Sequence, residues 1–258
     1  TGSSSAPAMP PLDPSNPDSL IEAATRAAGL HDERFDFGGE RVRGERPAHE
    51  GLHHHGEMPG AAGYTLGERF HLSRSAFPAQ RAQALCTLAA TFRAQRATPI
   101  ANLLRRWGRD ADAAMLLRVA LDDGSTSAQH AALDAAAAFA SLHGAPTAAE
   151  LARGCAAASV DWRGCDSVFP PPQKQKGSPL DGDEDERGEG SVPDAELCRR
   201  DLLPGWVAMG VPGRLRHLLD SGELTPSGAQ LALLLLCQCA GHSSSLAHDV
   251  SRCPHLLP

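Results

Sequence analysis

The stretch TPIANLLRRWG, residues 98–108, decides the fold class. Thr98 followed by Pro99 is a helix-start signal, because a threonine side chain can cap free amides and proline suits the first helical turn. Apolar residues then recur at the i, i+3, i+4, i+7 spacing of a helix that packs on one side: Ile100, Leu103, Leu104 and Trp107. The stretch therefore predicts an amphipathic helix that starts at Thr98 and ends at Gly108.

Similar signals recur along the chain and predict an all-α fold. Hydrophobic residues make up 41% of the chain and aromatic residues only 4%, with Ala and Leu dominant. Both lose little on entering a helix, whereas the β-branched residues that favour strands form no alternating runs. Further helices are predicted at residues 18–30, from Thr65, from Pro78, at 115–120, from Thr126 or Ser127 through 133–142, and at 146–158, 194–203, 214–219 and 227–240.

The connections between these helices are short, and consecutive amphipathic helices with short turns stack as antiparallel neighbours. The alanine-leucine cores at Ala84–Leu85 and Ala132–Leu133 lie about one helix pair apart, the size range of HEAT and armadillo units. We therefore expect irregular armadillo/HEAT-like stacked helix pairs. A plain irregular bundle is the alternative, because no fixed period emerges.

Composition divides the chain into five regions. Residues 1–30 are expected to be a mostly disordered lead-in, and residues 31–76 a loop-rich motif region. Residues 77–168 are expected to form a helical array, which continues in residues 194–258. Between them, residues 169–193 are Pro-rich and then acidic. Such a segment cannot bury enough apolar surface to order itself, so we expect a disordered acidic linker there.

The charge pattern argues against nucleic acid and membrane as partners. The formal net charge is −7, and most of it comes from the acidic run at residues 181–189. A phosphate backbone requires a concentrated basic face, and the sequence shows none. The longest apolar stretch, Leu231–Cys239, is too short to span a bilayer. An odd count of seven Cys without framework spacing fits a reducing compartment.

The sequence shows no catalytic constellation. It lacks the nucleophile elbow of serine hydrolases and the His-Glu-x-x-His helix of metalloproteases. Cys237 and Cys239 point away from each other on a helix, and Gly38–Gly39 follows no strand that would make it a phosphate loop. We therefore expect no enzymatic activity, no cofactor and no small-molecule substrate.

A short aromatic segment precedes the helices. Phe35 and Phe37 alternate with Arg34 and Asp36, so an extended chain would place both rings on one side and both charges on the other. Two interpretations remain open. The segment is either a strap that packs on helices of the same chain or a docking peptide for a partner.

Three consecutive histidines, His53, His54 and His55, invite a metal-site interpretation, with His49, Glu57 or His71 as further ligands. Adjacent loop residues converge on one ion only with strained backbone. The imidazoles could instead form hydrogen bonds that latch the loop onto the first helices, or they could contact a partner. We predict no metal here, and a metal-dependent enzyme centred on these histidines is the alternative.

These motifs carry a family resemblance. The chain resembles the RNA polymerase II-associated protein 1 family in the order of three blocks and of the first helices after them, with a weaker resemblance over residues 199–257. The blocks are Arg34–Phe35–Asp36–Phe37, Gly51–Leu52–His53–His54–His55–Gly56, and Tyr64 followed by Phe70–His71–Leu72–Ser73–Arg74. Gly67 and Arg69 depart from the expected pattern, since stronger helix formers and an apolar residue would stand there.

The resemblance implies a function that composition and periodicity do not show. It implies a non-catalytic scaffold that binds RNA polymerase II subunits together with assembly and import factors, and that acts in polymerase assembly, nuclear import or transcription elongation. It also implies location in the nucleus and cytoplasm. A general armadillo-like adaptor with other partners is the remaining alternative.

Overall fold

The structure is a computed structural model that describes residues 17–44, 47, 62–157 and 193–253. These parts of the chain contain twelve α-helices and no β-strand, so the predicted all-α class is confirmed. The armadillo/HEAT-like stacking stays a prediction. The helices are α1 (Pro17–Ala27), α2 (Leu66–Leu72), α3 (Pro78–Gln95), α4 (Ala101–Asp110), α5 (Ala113–Ala120), α6 (Thr126–Leu142), α7 (Ala148–Ala157), α8 (Asp194–Arg200), α9 (Leu202–Ala208), α10 (Val211–Asp220), α11 (Pro226–His242) and α12 (Ser244–Ser251).

The helix starts predicted at Thr65 and Pro78 are confirmed. Thr65 caps α2 through a capping box, in which its hydroxyl accepts the Glu68 amide and the Glu68 carboxylate accepts the Thr65 amide. Pro78 is the first residue of α3, where its missing N–H costs nothing. Residues 17–27 of the predicted lead-in are helical, and α2 lies inside the predicted loop-rich region.

The start predicted at Thr98 is wrong. The Thr98 hydroxyl donates to the carbonyl of Gln95 at 2.9 Å, so it closes the end of α3 and does not cap α4, which begins only at Ala101. Gly108 does not end α4 either, because the helix continues to Asp110. Its role is close packing, since a β-carbon there would lie 2.6 Å from the ring of Phe139.

The buried faces of α4 and α5 differ in part from the apolar pattern. Leu104 and Trp107 are fully buried, but Leu103 is exposed. In α5 the large residues Met115 and Val119 are exposed, and the buried ones are Ala113, Ala114 and Leu117. Small alanines allow α9 to approach α5 closely enough for the indole of Trp206 to donate to a backbone carbonyl of α5. The close contact is therefore made by the small residues.

The three longest helices form the centre of the fold. Helix α6 packs against both α3 and α11. It is alanine-rich and buried along almost its whole length, because two neighbours cover it. Gln238 of α11 ties the helices together by donating to the carbonyl of Pro146 at 2.9 Å and to the hydroxyl of Ser141 at 3.0 Å. None of the described helices combines the length and apolar character needed to cross a membrane.

Helices α1 to α4 meet around one indole ring. Trp107 of α4 is fully buried and donates from its indole nitrogen to the hydroxyl of Thr25 in α1 at 3.0 Å. Phe70 of α2 meets the indole edge-on with ring centroids 5.6 Å apart, and Phe92 of α3 lies 6.5 Å away. Four consecutive helices are thus held in one aromatic core, which supports the motif region.

Helix α7 is tied to α3 through the carboxylate of Glu150. That carboxylate accepts the amide and hydroxyl of Thr147 at 2.7 and 2.9 Å and both terminal nitrogens of Arg96 at 3.1 Å. These bonds, led by the Thr147 amide, lower the pKa of Glu150 from 4.5 to about 2. The charged form is therefore the one that holds the two helices together.

We expect this contact to be lost in acid. Because the folded-state pKa is lowered, the stabilisation is fully present above pH 4.5 and disappears as the pH falls toward about 2. Glu150→Gln should lower the melting temperature at pH 7 and weaken its dependence on pH over that window. Melting temperatures of both proteins, measured at several pH values, test this. An equal dependence of melting temperature on pH in the two proteins would contradict it.

Candidate partner-binding site

Residues 33–42, called the strap here, form a tight turn beside α2. Phe35 makes antiparallel bridges to both Arg41 and Tyr64. Its amide donates to the Tyr64 carbonyl at 2.9 Å, and the Tyr64 amide donates back at 3.0 Å. The Phe35 side chain is only 1% exposed. The strap is therefore packed on its own chain at this residue.

A glycine seats the strap on α3. Gly39 has a φ of +81°, and a β-carbon there would lie 2.3 Å from the carbonyl carbon of Ala90. Its own carbonyl accepts the buried side-chain amide of Gln95 at 2.9 Å. A residue without a side chain is required by both the backbone conformation and the close approach.

The two aromatic residues of the strap differ in environment. The Asp36 carboxylate accepts the amide of Glu40 at 2.9 Å, so the chain turns directly after Asp36 and the predicted alternation stops there. Phe37 consequently stays 40% exposed, whereas Phe35 is buried. Arg34 donates to the carbonyl of Gly63 at 2.8 Å, which anchors the base of the strap next to α2.

Arg69 of α2 lies where the strap, Tyr64 and the helix meet. Its guanidinium carbon is 3.6 Å from the ring centroid of Tyr64 and 5.1 Å from that of Phe37. The residue is 3% exposed, and burial lowers the pKa of its guanidinium from its ordinary value to about 10. Among the described residues, none accepts a hydrogen bond from its Nε or Nη2 atom. Helix α2 thus carries a buried cation on the face that also buries Leu66 and Phe70.

Some of the motif residues within α2 and just after it are buried in the core, and others are exposed. Phe70 and Ser73 are buried, and the Ser73 hydroxyl donates to the Phe70 carbonyl at 2.6 Å. Leu72 is half-buried, while His71 and Arg74 are exposed. The exposed side chains are the ones that a partner can reach.

The block Gly51–Leu52–His53–His54–His55–Gly56 lies outside the described residues, as do residues 1–16 and the acidic run. The metal, latch and partner-contact interpretations of the histidines stay predictions. Within residues 17–44, 62–157 and 193–253, no group of three or more His, Cys, Asp or Glu side chains is placed to hold a metal ion.

Arg69 stands out in the sequence only as a departure from the expected apolar residue. The sequence signal for this site is a charged residue at a position on the apolar face of a short helix. Its aromatic neighbours come from two separate segments, at Phe37 and Tyr64, and the sequence pattern does not show that the fold brings them together.

Comparison with known proteins gives a match over the part of the chain that forms these elements. A family model described as "RPAP1-like, C-terminal" matches residues 32–96, which cover the strap, α2 and α3. The chain is 35% identical over 240 residues to RNA polymerase II-associated protein 1 of Rattus norvegicus, a match that covers 87% of this chain and 17% of that protein. The Homo sapiens protein of the same name is 35% identical over 244 residues, with the same coverage.

A shorter match joins the chain to fungal proteins. RNA polymerase II-associated protein rba50 of Schizosaccharomyces pombe is 42% identical over 80 residues, which cover 30% of this chain and 18% of that protein. The chain thus spans under a fifth of the length of these relatives. No solved structure matches the chain significantly.

Proposed function

Because this chain belongs to the RNA polymerase II-associated protein 1 family, we propose that it is a non-catalytic scaffold segment that binds RNA polymerase II. The observation that carries the proposal is the position of the family match. Residues 32–96 are the part of the chain that holds the strap on α3 and displays Phe37, His71 and Arg74 on a packed base. A rigid base with exposed aromatic and basic side chains suits recognition of a protein surface.

The proposal includes a cellular role and further partners. The segment would act in the nucleus and the cytoplasm, in polymerase assembly, import or elongation, together with assembly and import factors. It would need no cofactor, because scaffolding depends on surface complementarity alone. The names of the mammalian and fungal relatives support the polymerase as the partner.

Polymerase capture by the purified chain tests the proposal. We expect immobilised wild-type chain to recover RNA polymerase II subunits from nuclear extract. The variant with His53, His54 and His55 replaced by alanine should recover at least about tenfold less, a loss equivalent to about 1.4 kcal/mol of binding free energy. Immunoblotting of two polymerase subunits gives the measurement.

A matched control removes two other exposed imidazoles, His217 in α10 and His248 in α12. That double-alanine variant should recover as much polymerase as the wild type. Absence of polymerase from the wild-type sample would contradict the proposed function. Recovery of other proteins without polymerase would instead favour a general helical adaptor.

A further inference from the structure

One edge of the Arg69 guanidinium, formed by Nε and Nη2, has no hydrogen-bond acceptor among the described residues. Nε–H and the outer N–H of Nη2 point the same way in the plane of the group and form the fork that receives a carboxylate in two parallel bonds. Both atoms are buried without a partner in the part of the chain that the structure describes. A buried donor without an acceptor costs free energy, so the empty fork is unfavourable in the isolated chain.

The same fork is filled at other arginines of this chain. Arg81 donates from Nε and Nη2 to the two carboxylate oxygens of Asp123, at 2.6 and 2.8 Å. Arg199 donates from the same two atoms to Asp112, at 3.0 and 2.9 Å. In both cases the acceptor is a planar carboxylate held side-on. Arg69 has the same pair of donors, but no carboxylate of the described residues accepts from them.

Aromatic rings hold the guanidinium of Arg69 and leave its edge unused. Tyr64 stacks on it at 3.6 Å and Phe37 lies at 5.1 Å, and such contacts occupy the π-face of a guanidinium. The two rings are 5.7 Å apart and tilted by 47°. They partly compensate the buried charge but supply no acceptor to Nε or Nη2.

We propose that Arg69, Phe37 and Tyr64 form a receptor for one Asp or Glu carboxylate of an acidic partner peptide. A carboxylate matches the empty fork in shape and neutralises the single buried charge. A phosphate dianion fits less well, because it would add a second negative charge near the carboxylate of Glu68, which interacts with the same guanidinium.

Phe37 is the most exposed of the three side chains in the receptor. It is 40% exposed and stands at the start of the turn that follows Asp36. The Nε and Nη2 atoms of Arg69 are themselves buried, so a carboxylate reaches them only after neighbouring side chains move aside. This proposal rests on the proposed function only for the identity of the partner. The acidic peptide would then belong to the polymerase or to a factor bound to it.

A direct test uses the wild-type chain and the peptide hexaglutamate. With ¹⁵N-arginine labelling, the Nε–H resonance of Arg69 should move in a saturable way as hexaglutamate is added, and the Nε–H of Arg81 should not. Arg69→Lys keeps the charge and removes the fork, so it should bind hexaglutamate at least about tenfold more weakly. An unresponsive Arg69 resonance would overturn the receptor.

Arg69→Met separates a receptor from a structural role. Replacing an unsatisfied buried charge by an apolar side chain of similar length should raise the melting temperature by roughly 2–4 °C. The control Arg81→Met removes a filled fork and should lower the melting temperature. A fall in melting temperature for Arg69→Met would mean that the guanidinium is a structural element, and would overturn the proposal.

Polymerase capture then links the receptor to the partner. Arg69→Met should recover at least about tenfold less polymerase than the wild type, although it is more stable. Equal recovery would overturn the assignment of this receptor to the polymerase. Failure of the wild type to recover polymerase would count against the proposed function alone, because the hexaglutamate titration decides the receptor by itself.

Discussion

Trp107→Ala is expected to lower the free energy of unfolding by about 3–5 kcal/mol, the range for truncating a fully buried tryptophan. The indole is the common contact of α1, α2 and α3, through Thr25, Phe70 and Phe92. Its removal leaves a cavity that four helices would have to close together. Urea unfolding followed by circular dichroism measures the loss.

The control for Trp107→Ala is an aromatic residue outside the core. Phe77, which precedes α3, is 67% exposed, so Phe77→Ala should change the free energy of unfolding by less than about 0.5 kcal/mol. If the two substitutions had similar effects, the aromatic cluster would not be the core that supports the strap and α2.

Gly39→Ala is the second substitution with a large expected effect, a loss of about 2–5 kcal/mol. A positive φ costs an alanine roughly 1–2 kcal/mol, and the contact of its β-carbon with the α3 backbone adds roughly 1–3 kcal/mol of overpacking. The backbone of α3 cannot move aside as a flexible side chain could. We expect the strap to leave α3, which would expose Phe35 and the aromatic wall of the carboxylate receptor.

Hydrogen exchange locates this effect. The amides of Phe35 and Tyr64, which bond each other's carbonyls, should lose protection in Gly39→Ala. Gly29→Ala is the matched control. Gly29 has a φ of +71°, but no atom of the described residues lies within 4 Å of the place that a β-carbon would take, so this substitution should cost only the conformational part. Retained protection in Gly39→Ala would show that the close approach to α3 is not essential.

The sequence predicts those parts of the fold that depend on local bonds. The starts of α2 and α3 follow from Thr65 and Pro78, whose effects involve residues within one turn. Thr98 shows the limit of this reasoning. Its hydroxyl can serve the end of one helix or the start of the next, and local pattern does not decide which.

Which face of a helix is buried, and which residues meet at the candidate site, depend on segments that are far apart in the sequence. Met115 and Val119 look like a core stripe, but alanines make the contact because a neighbouring helix comes close. The role of Gly39 is set by α3, far along the chain. For the same reason Arg69 could be recognised from the sequence as a departure, but not as the centre of an aromatic group.

The contact between α6 and α11 has a consequence for how the chain can vary in length. Helix α6 precedes residues 158–192 and α11 follows them, so this contact joins the two parts of the chain that the interval connects. Loop-closure entropy grows slowly, by about 0.6 kcal/mol for each doubling of length. For the disordered linker that the sequence predicts at residues 169–193, we therefore expect insertions to be nearly neutral for folding, whereas the short connection from α3 to α4 has no such freedom.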